Sequence, residues 1–402
     1  MTGRQAADQQ MQKYFRERRH LGMRERGFIA ETVYGCLRRK RMVEHLLDHP
    51  QPLAHERVAA YLLHLQGWSA RALLDAGYPG DAAALTAKLR DRAKLPVPDA
   101  IRADLPDWIY QSLVDQLGPE TTLQLAEALH QPAPVDLRVN TLKAKREQAA
   151  SLLAEEGYAT EFTPLSPVGL RRMERVPLFK TRAFQEGWIE IQDEGSQLLA
   201  LLLEPARREM VVDFCAGAGG KTLHIGALMG NTGSLYAFDT SAKRLENMRP
   251  RLKRSGLDTV RPVVIEHERD RRVQRLRGKI DRVLVDAPCT GIGTLRRNPD
   301  IKWRNFDLEH VTALQGRILA AAADLLKPGG RLVYATCSPL RAENEDIVQP
   351  FLDQHPDFKL VPVAGILAGR GIILDCPEPT LRLYPHIHNT DAFFAAVIER
   401  AN

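Results

Sequence analysis

VLVDAPCTGIGTLRRNPDIKWR, residues 283–304, is the stretch whose reading decides the fold. Val283, Leu284 and Val285 form a continuous apolar run, the pattern of a parallel strand buried on both faces. The run breaks at Asp286-Ala287-Pro288-Cys289, so a carboxylate, a rigid turn and a thiol meet at the strand's C-terminal end. In open α/β sheets that end is where ligands bind. Gly291 and Gly293 follow, and then a basic run, Arg296, Arg297, Lys302 and Arg304, with Trp303 inside it. A thiol, an acid and phosphate-binding cations on one loop point to chemistry on a nucleic acid.

Working outward, the pattern from about residue 186 to the end is strand, helix, strand, helix. Strands are expected at Val211–Cys215, Ser234–Asp239, Pro262–Glu266, Arg282–Asp286 and Arg331–Ala335, with helices at 221–229, 241–254 and 308–326. That alternation implies a parallel, doubly wound sheet. Pro328-Gly329-Gly330 is expected to stop the last helix, and DAFFAAVIER to pair antiparallel at the sheet edge. Residues 129–185 read as a small α/β unit, and residues 1–128 as helical, with apolar residues spaced at three and four in 27–48 and 107–128 and breaks at 50–52 and 78–80. The run Arg38-Arg39-Lys40-Arg41 reads as a solvated helix face in preference to an RNA contact.

Composition bounds the possibilities. At 402 residues the chain exceeds one ordinary core, and 44% hydrophobic with 26% charged residues is globular. The net charge of +6 fits a polyanionic partner, and the excess begins in residues 1–50, with 11 Lys/Arg against 6 Asp/Glu. Five scattered cysteines, Cys36, Cys215, Cys289, Cys337 and Cys376, contain no C-x-x-C pair, which argues against a zinc site or a disulfide framework and for a reducing compartment. The N-terminus lacks the apolar core of a signal peptide and no run is long enough to span a bilayer, so a cytoplasmic protein without membrane or metal partner, and monomeric, is expected.

The first catalytic-region strand runs into Asp213-Phe214-Cys215-Ala216-Gly217-Ala218-Gly219-Gly220-Lys221. Walker A spacing fails because Cys215 stands where its first glycine belongs, and the dinucleotide fingerprint fails because Thr222 replaces its third. What remains is a tight glycine turn. Asp239, twenty residues beyond Gly219 at the end of the second strand, suits a ribose diol. A ribose acid without a diphosphate cradle fits S-adenosylmethionine better than NAD or ATP.

Cys337, in Ala335-Thr336-Cys337-Ser338-Pro339, ends the strand that follows the one ending at Cys289. Each thiol alone is more often a small buried hydrophobe. Two thiols at parallel strand ends beside a methyl donor fit methylation of a pyrimidine at C5, a carbon that turns nucleophilic only after a thiolate adds to C6. Methylation of an exocyclic amine would call for a polar-Pro-Pro-aromatic turn where Asp286-Ala287-Pro288-Cys289 stands. Which thiol attacks is open at this level. A DNA cytosine methyltransferase would use Cys289, but the second thiol at Cys337 and the lack of an evident target-recognition insert speak against one.

DFCAGAGGKT, DRVLVDAPCTGIGTLRRNPDIKW and LVYATCSP closely resemble the motifs of the Sun/RsmB family of RNA cytosine-5 methyltransferases, and the similarity covers about residues 107–400. The resemblance implies a Rossmann-like class I methyltransferase domain over 186–402, an RRM-like unit before it and a NusB-like, RNA-binding helical region at the N-terminus. It implies Cys337 as nucleophile, Cys289 as the thiol that assists product release, Asp286 as the residue that polarises cytosine, and Lys221 facing the reaction centre. Residues Cys215, Ala216, Gly217, Ala218, Gly219, Gly220 and Lys221, with Asp239, Asp286 and an acid after the third strand, would hold the cofactor. Asp270 is the choice for that acid, with Glu268 its close rival. Arg138 and Asn140 join Arg296, Arg297, Lys302, Trp303 and Arg304 as expected RNA contacts. Ribosomal RNA is the expected substrate and transfer RNA the alternative, with a non-catalytic assembly factor as the rival from another class. His386 and His388 lack further ligand partners nearby and are read as non-ligands.

Overall fold

The computed structural model describes residues 6–49, 51–174 and 176–402. The start of the expected helical region, residues 1–5, and Pro50, the head of the expected break at 50–52, lie outside them. The chain divides into two compact units, Met1–Pro132 with Thr294–Phe306, and Ala133–Gly293 with Asp307–Asn402.

The first unit is helical around a core that includes Val43, Leu46, Leu47, Ala60 and Leu89. The expected helix over 27–48 is two helices, Met23–Arg38 and Lys40–Leu47, parted at Arg39. The expected helix over 107–128 is also two, Asp107–Leu117 and Pro119–His130, parted where Gly118 takes φ +81° and Pro119 opens the next helix.

Segment 294–306 belongs to this unit, and its role differs from the one expected. Lys302, 1% exposed, donates to the carbonyls of Arg38 (2.8 Å) and Asp104 (2.5 Å) and lies 3.8 Å from the Asp104 carboxylate. Trp303 Nε1 donates to Leu37 O at 2.6 Å, and Lys40 sits over its ring, 4.8 Å from the centroid. Arg296, 3% exposed, donates to Pro132 O and receives Arg38 on its own carbonyl. Arg296 and Lys302 are therefore not open to a phosphate, while Trp303 is half-buried with its indole N–H and one ring face engaged within the unit. Their polar groups saturate helix-end carbonyls, which is what a buried polar group must do. Arg297 and Arg304 stay partly exposed, with Arg304 held to Asp300 at 2.8 Å. Nor is Arg38-Arg39-Lys40-Arg41 a solvated face, since Arg41 N and Met42 N both donate to Asp104, and Arg39 lies 3.8 Å from it.

The second unit holds two sheets. The smaller comprises β1 (Val135–Val139), β2 (Glu161–Phe162), β3 (Gly169–Arg172) and β4 (Ile189–Ile191) in the order β2-β3-β1-β4, with every pairing antiparallel. β4 falls beyond residue 185, in the stretch assigned from sequence to the catalytic domain, because Ile189 and Ile191 close the sheet against Val139 and Leu137.

The larger sheet comprises β5 (Met210–Asp213), β6 (Ser234–Asp239), β7 (Val260–Val264), β8 (Ile280–Asp286), β9 (Leu326–Thr336), β10 (Phe358–Val361), β11 (Leu381–Leu383) and β12 (Phe393–Arg400). Its order is β10-β12-β9-β8-β5-β6-β7, with β11 on β12. β5 to β9 are parallel to one another, and β12 is antiparallel to β9. β12 is not the edge, since β10 lies outside it. Alternate residues feed the two faces. Val211, Leu284 and Val333 pack with helix Glu194–Leu203, whereas Val212, Val283 and Tyr334 pack with helix Leu308–Ala323. That last helix ends at Ala323, before Pro328-Gly329-Gly330, which forms a bulge inside β9 between the Ile280–Leu326 and Arg282–Arg331 pairs.

Lys302→Met is expected to destabilise the helical unit by about 3 kcal/mol, because it strands the buried Asp104 carboxylate. Urea denaturation followed by circular dichroism measures the loss, and an unchanged midpoint would return Lys302 to the surface role first expected of it.

Candidate active site

Parallel strands that share a register end together, and here they end in reactive groups. Asp213 ends β5, Asp239 ends β6, Asp286 ends β8, and Cys337 directly follows β9. Asp213 is level with Leu284, and Asp286 with Ala335. A cavity of 780 Å³ opens there, lined by residues 213–218, Gly220, Lys221, Asp239, Glu266 to Glu268, Asp286 to Cys289 and Cys337. That volume holds a nucleoside-sized cofactor and a base.

The glycine turn is built by backbone. Ala216 N donates to Phe238 O, and Gly219 N to Ala216 O. Gly219 has φ +88°, and a Cβ there would lie 2.5 Å from Met248 Cγ. Asp239 Oδ2 accepts from Gly217 N at 2.8 Å and Oδ1 from Ser241 N at 2.7 Å. A carboxylate has about four lone-pair sites, so two remain for a ribose diol. Asp213 is buried. Its Oδ2 accepts from Thr222 Oγ1 at 2.6 Å, while Oδ1 has no partner. Burial, and then the Asp286 charge, outweigh the Thr222 hydrogen bond and raise this carboxyl to about 7. An orphaned carboxylate oxygen beside the cavity suits a cationic ligand group, and S-adenosylmethionine carries one. These residues fit that cofactor.

Lys221 Nζ lies 2.7 Å from Asp286 Oδ2. Burial alone would lower this ammonium, but Asp286, and then the Cys337 sulfur, hold it above its ordinary value. Cys289 Sγ and Cys337 Sγ are 3.4 Å apart, both half-buried and both unoxidised. Their hydrogen bond, then burial, then the charges of Cys337 and Glu343 push the Cys289 thiol well up. Gly293 explains the glycines behind the thiol. Its N donates to Cys337 O at 2.9 Å, and a Cβ would lie 2.3 Å from Ala392 O.

Three expected contacts are placed elsewhere. Asp270 does not line the cavity. Its Oδ1 caps Arg272 N (2.8 Å) and its Oδ2 accepts from Glu266 N (2.9 Å), so the acids at the wall are Glu266 and Glu268. Arg138, 2% exposed, donates to Gln192 and to Gly220 O (2.7 Å), so it braces the glycine turn from behind. Asn140, 5% exposed, donates to Gly187 O (3.0 Å) and Ser255 O (2.9 Å). Neither is open to RNA.

Sequence reasoning missed Glu343, Asn344, Thr290 and Gln315, which surround the two thiols. The available signal was the acid-amide-acid run Glu343-Asn344-Glu345 a short turn after Cys337, but nothing linear ties it to Thr290. Among the described residues no group of three His, Cys, Asp or Glu could hold a metal ion, and no helix is long and apolar enough to cross a membrane.

The family model for the 16S rRNA methyltransferase RsmB/F matches residues 200–399, and one for an RsmF/B-like ferredoxin-like domain matches residues 105–178. The probable ribosomal RNA small subunit methyltransferase B of Synechocystis sp. is 32% identical over 98% of this chain and 95% of its own. Its counterpart in Bacillus subtilis is 30% identical over 93% of this chain and 90% of its own. A crystal structure of a methyltransferase homolog protein from Pyrococcus horikoshii is 33% identical, with a TM-score of 0.64 over 75% of this chain and 97% of that one. With the strand order and the cavity, these likenesses make the chain a member of the RsmB/F family of ribosomal RNA methyltransferases, with S-adenosylmethionine as methyl donor.

Proposed function

We propose that the enzyme methylates C5 of a cytosine in small-subunit ribosomal RNA, with Cys337 as nucleophile and Cys289 as the thiol that assists release. One observation carries the reading. The two sulfurs are 3.4 Å apart at the cavity that Lys221, paired with Asp286, also lines. A nearby cation lowers the cost of a thiolate, which supports a thiol nucleophile at this floor, and the resemblance of Thr336-Cys337-Ser338 to the family's motif makes Cys337 the attacking sulfur.

Its addition to C6 forms the S–C6 bond and makes C5 enamine-like. Asp286 keeps Oδ2 on Lys221, which leaves Oδ1 for the cytosine. When bound, S-adenosylmethionine supplies the methyl group as an electrophilic carbon. Once C5 is methylated a base, water in the open cavity, takes the C5 proton, the C5–H electrons re-form the C5–C6 double bond, and the S–C6 electrons return to Cys337. Cys289 is the group beside that departing sulfur. The target base has to be unpaired or flipped out to present C6 to a thiol at the cavity floor.

In this reading residues 1–128 are the NusB-like RNA-binding module, the sheet β1 to β4, which runs on to Ile191, is the RRM-like unit, and the rest of the chain apart from segment 294–306 is the catalytic domain. Arg297 and Arg304 remain as RNA contacts of segment 294–306, because they alone of its expected cations keep exposed surface.

Cys337→Ala is expected to abolish turnover and covalent attachment to RNA, whereas Cys289→Ala accumulates a protein–RNA adduct on a denaturing gel. The reverse pattern sinks the assignment of the two sulfurs. Asp239→Ala is expected to weaken S-adenosylmethionine binding about tenfold or more, the worth of hydrogen bonds to a charged acceptor. Calorimetry that finds the affinity unchanged removes Asp239 from the ribose.

A further inference from the structure

A short dipeptide touches the neighbours of both thiols. Glu343 is fully buried, its Oε1 accepts from Thr290 N at 2.8 Å and its Oε2 from Thr290 Oγ1 at 2.6 Å. Thr290 directly follows Cys289. Gln315 Nε2 bridges Glu343 Oε1 (3.2 Å) and the carbonyl of Pro288 (2.9 Å), which directly precedes Cys289. Asn344, 1% exposed, does the same for the other sulfur. Its Oδ1 accepts from Thr336 Oγ1 at 2.6 Å and its Nδ2 donates to Ser338 O at 2.9 Å, so it grips the residues on both sides of Cys337. The turn itself is fixed by Tyr334 Oη, which donates to Glu343 O at 2.7 Å.

A carboxylate sealed from water beside a thiol is costly unless it has work to do or donors to satisfy it. Glu343 has the donors, and an amide could keep them at Oε1 while donating from Nε2 to a Thr290 hydroxyl turned to accept. Its charge falls on one side of the pair. The groups that face the two sulfurs are Glu343 from the turn, Tyr334 from β9, Asp286 from β8 and Lys221 from helix Gly220–Leu228. Of the ions, Glu343 holds Thr290, the residue after Cys289, and Lys221 is held by Asp286.

We propose that Glu343 and Asn344 are positioning residues of the reaction, which clamp the two thiol loops at their working separation, and that the Glu343 charge keeps the proton on Cys289. This rests on the assignment of Cys337 as nucleophile. Two chemically identical groups at 3.4 Å would otherwise share one negative charge, and half of it would lie on the sulfur that does not attack.

The test is single-hit alkylation of the RNA-free protein across pH, with each cysteine read by peptide mass spectrometry. In the wild type Cys337 should label at lower pH than Cys289, and labelling of Cys289 first overturns the proposal. Glu343→Gln can keep the Thr290 contacts but not the charge. It should move the Cys289 midpoint down by about one pH unit, so that the preference for Cys337 falls about tenfold. An unmoved midpoint in a variant that still binds S-adenosylmethionine overturns the role of the charge. Asn344→Ala, which keeps the charge, should slow methyl transfer with the labelling order intact. A reversed order there assigns the effect to loop geometry, against the proposal. Alkylation needs no RNA, so a failed RNA adduct with the labelling order preserved would count against the nucleophile assignment alone.

Discussion

Lys221 and Asp286, 2.7 Å apart at the ends of neighbouring elements, are the pair on which the catalytic end of the sheet depends. Lys221 opens the helix after the glycine turn and Asp286 closes β8, so their ion pair joins the cofactor side of the cavity to the base side. The ammonium would be costly there alone. Burial works against the ammonium, and three carboxylates, Asp213, Asp239 and Asp286, crowd one row of strand ends. The arrangement holds because the cation is shared. Asp286 takes its hydrogen bond, while burial holds the Asp213 carboxyl up at about 7.

The same economy explains the contrast between the two basic groups of the chain. Lys221 is buried and paired with one oxygen of a partly exposed acid, so it can act on whatever enters the cavity. Lys302 is buried against two backbone carbonyls and an acid that burial itself pushes up, and its own ammonium is pulled down to about 7. Desolvation outweighs Asp104 there. Such a lysine fastens a loop, and its charge is spent inside the fold.

Much of this was legible in the sequence, for definite reasons. Strand β6, Ser234–Asp239, was placed to the residue because its apolar run starts after a glycine and ends on an acid. The strand-end acids and thiols follow from strand order alone, since a parallel sheet delivers every C-terminal end to one side. What sequence could not show is where a charged side chain spends its hydrogen bonds. Arg138, Asn140, Arg296, Lys302 and Trp303 have the chemistry of RNA contacts, yet each satisfies carbonyls that packing would otherwise orphan. Asp270 has the chemistry of a cofactor ligand but caps the helix Arg271–Gln274. Residue type sets what a group can bind, and only burial decides what it does bind.

The order of the two sulfurs is the instructive case. Residue spacing left Cys289 and Cys337 equivalent, and their Sγ atoms are indeed in contact. The charged groups about them lie off both loops, Lys221 being 68 residues before Cys289 and Glu343 six residues after Cys337. A field that differs across 3.4 Å can arise only where water is excluded, because a solvent-filled cleft would level it. The half-buried floor of the cavity is therefore as necessary to the chemistry as the thiols.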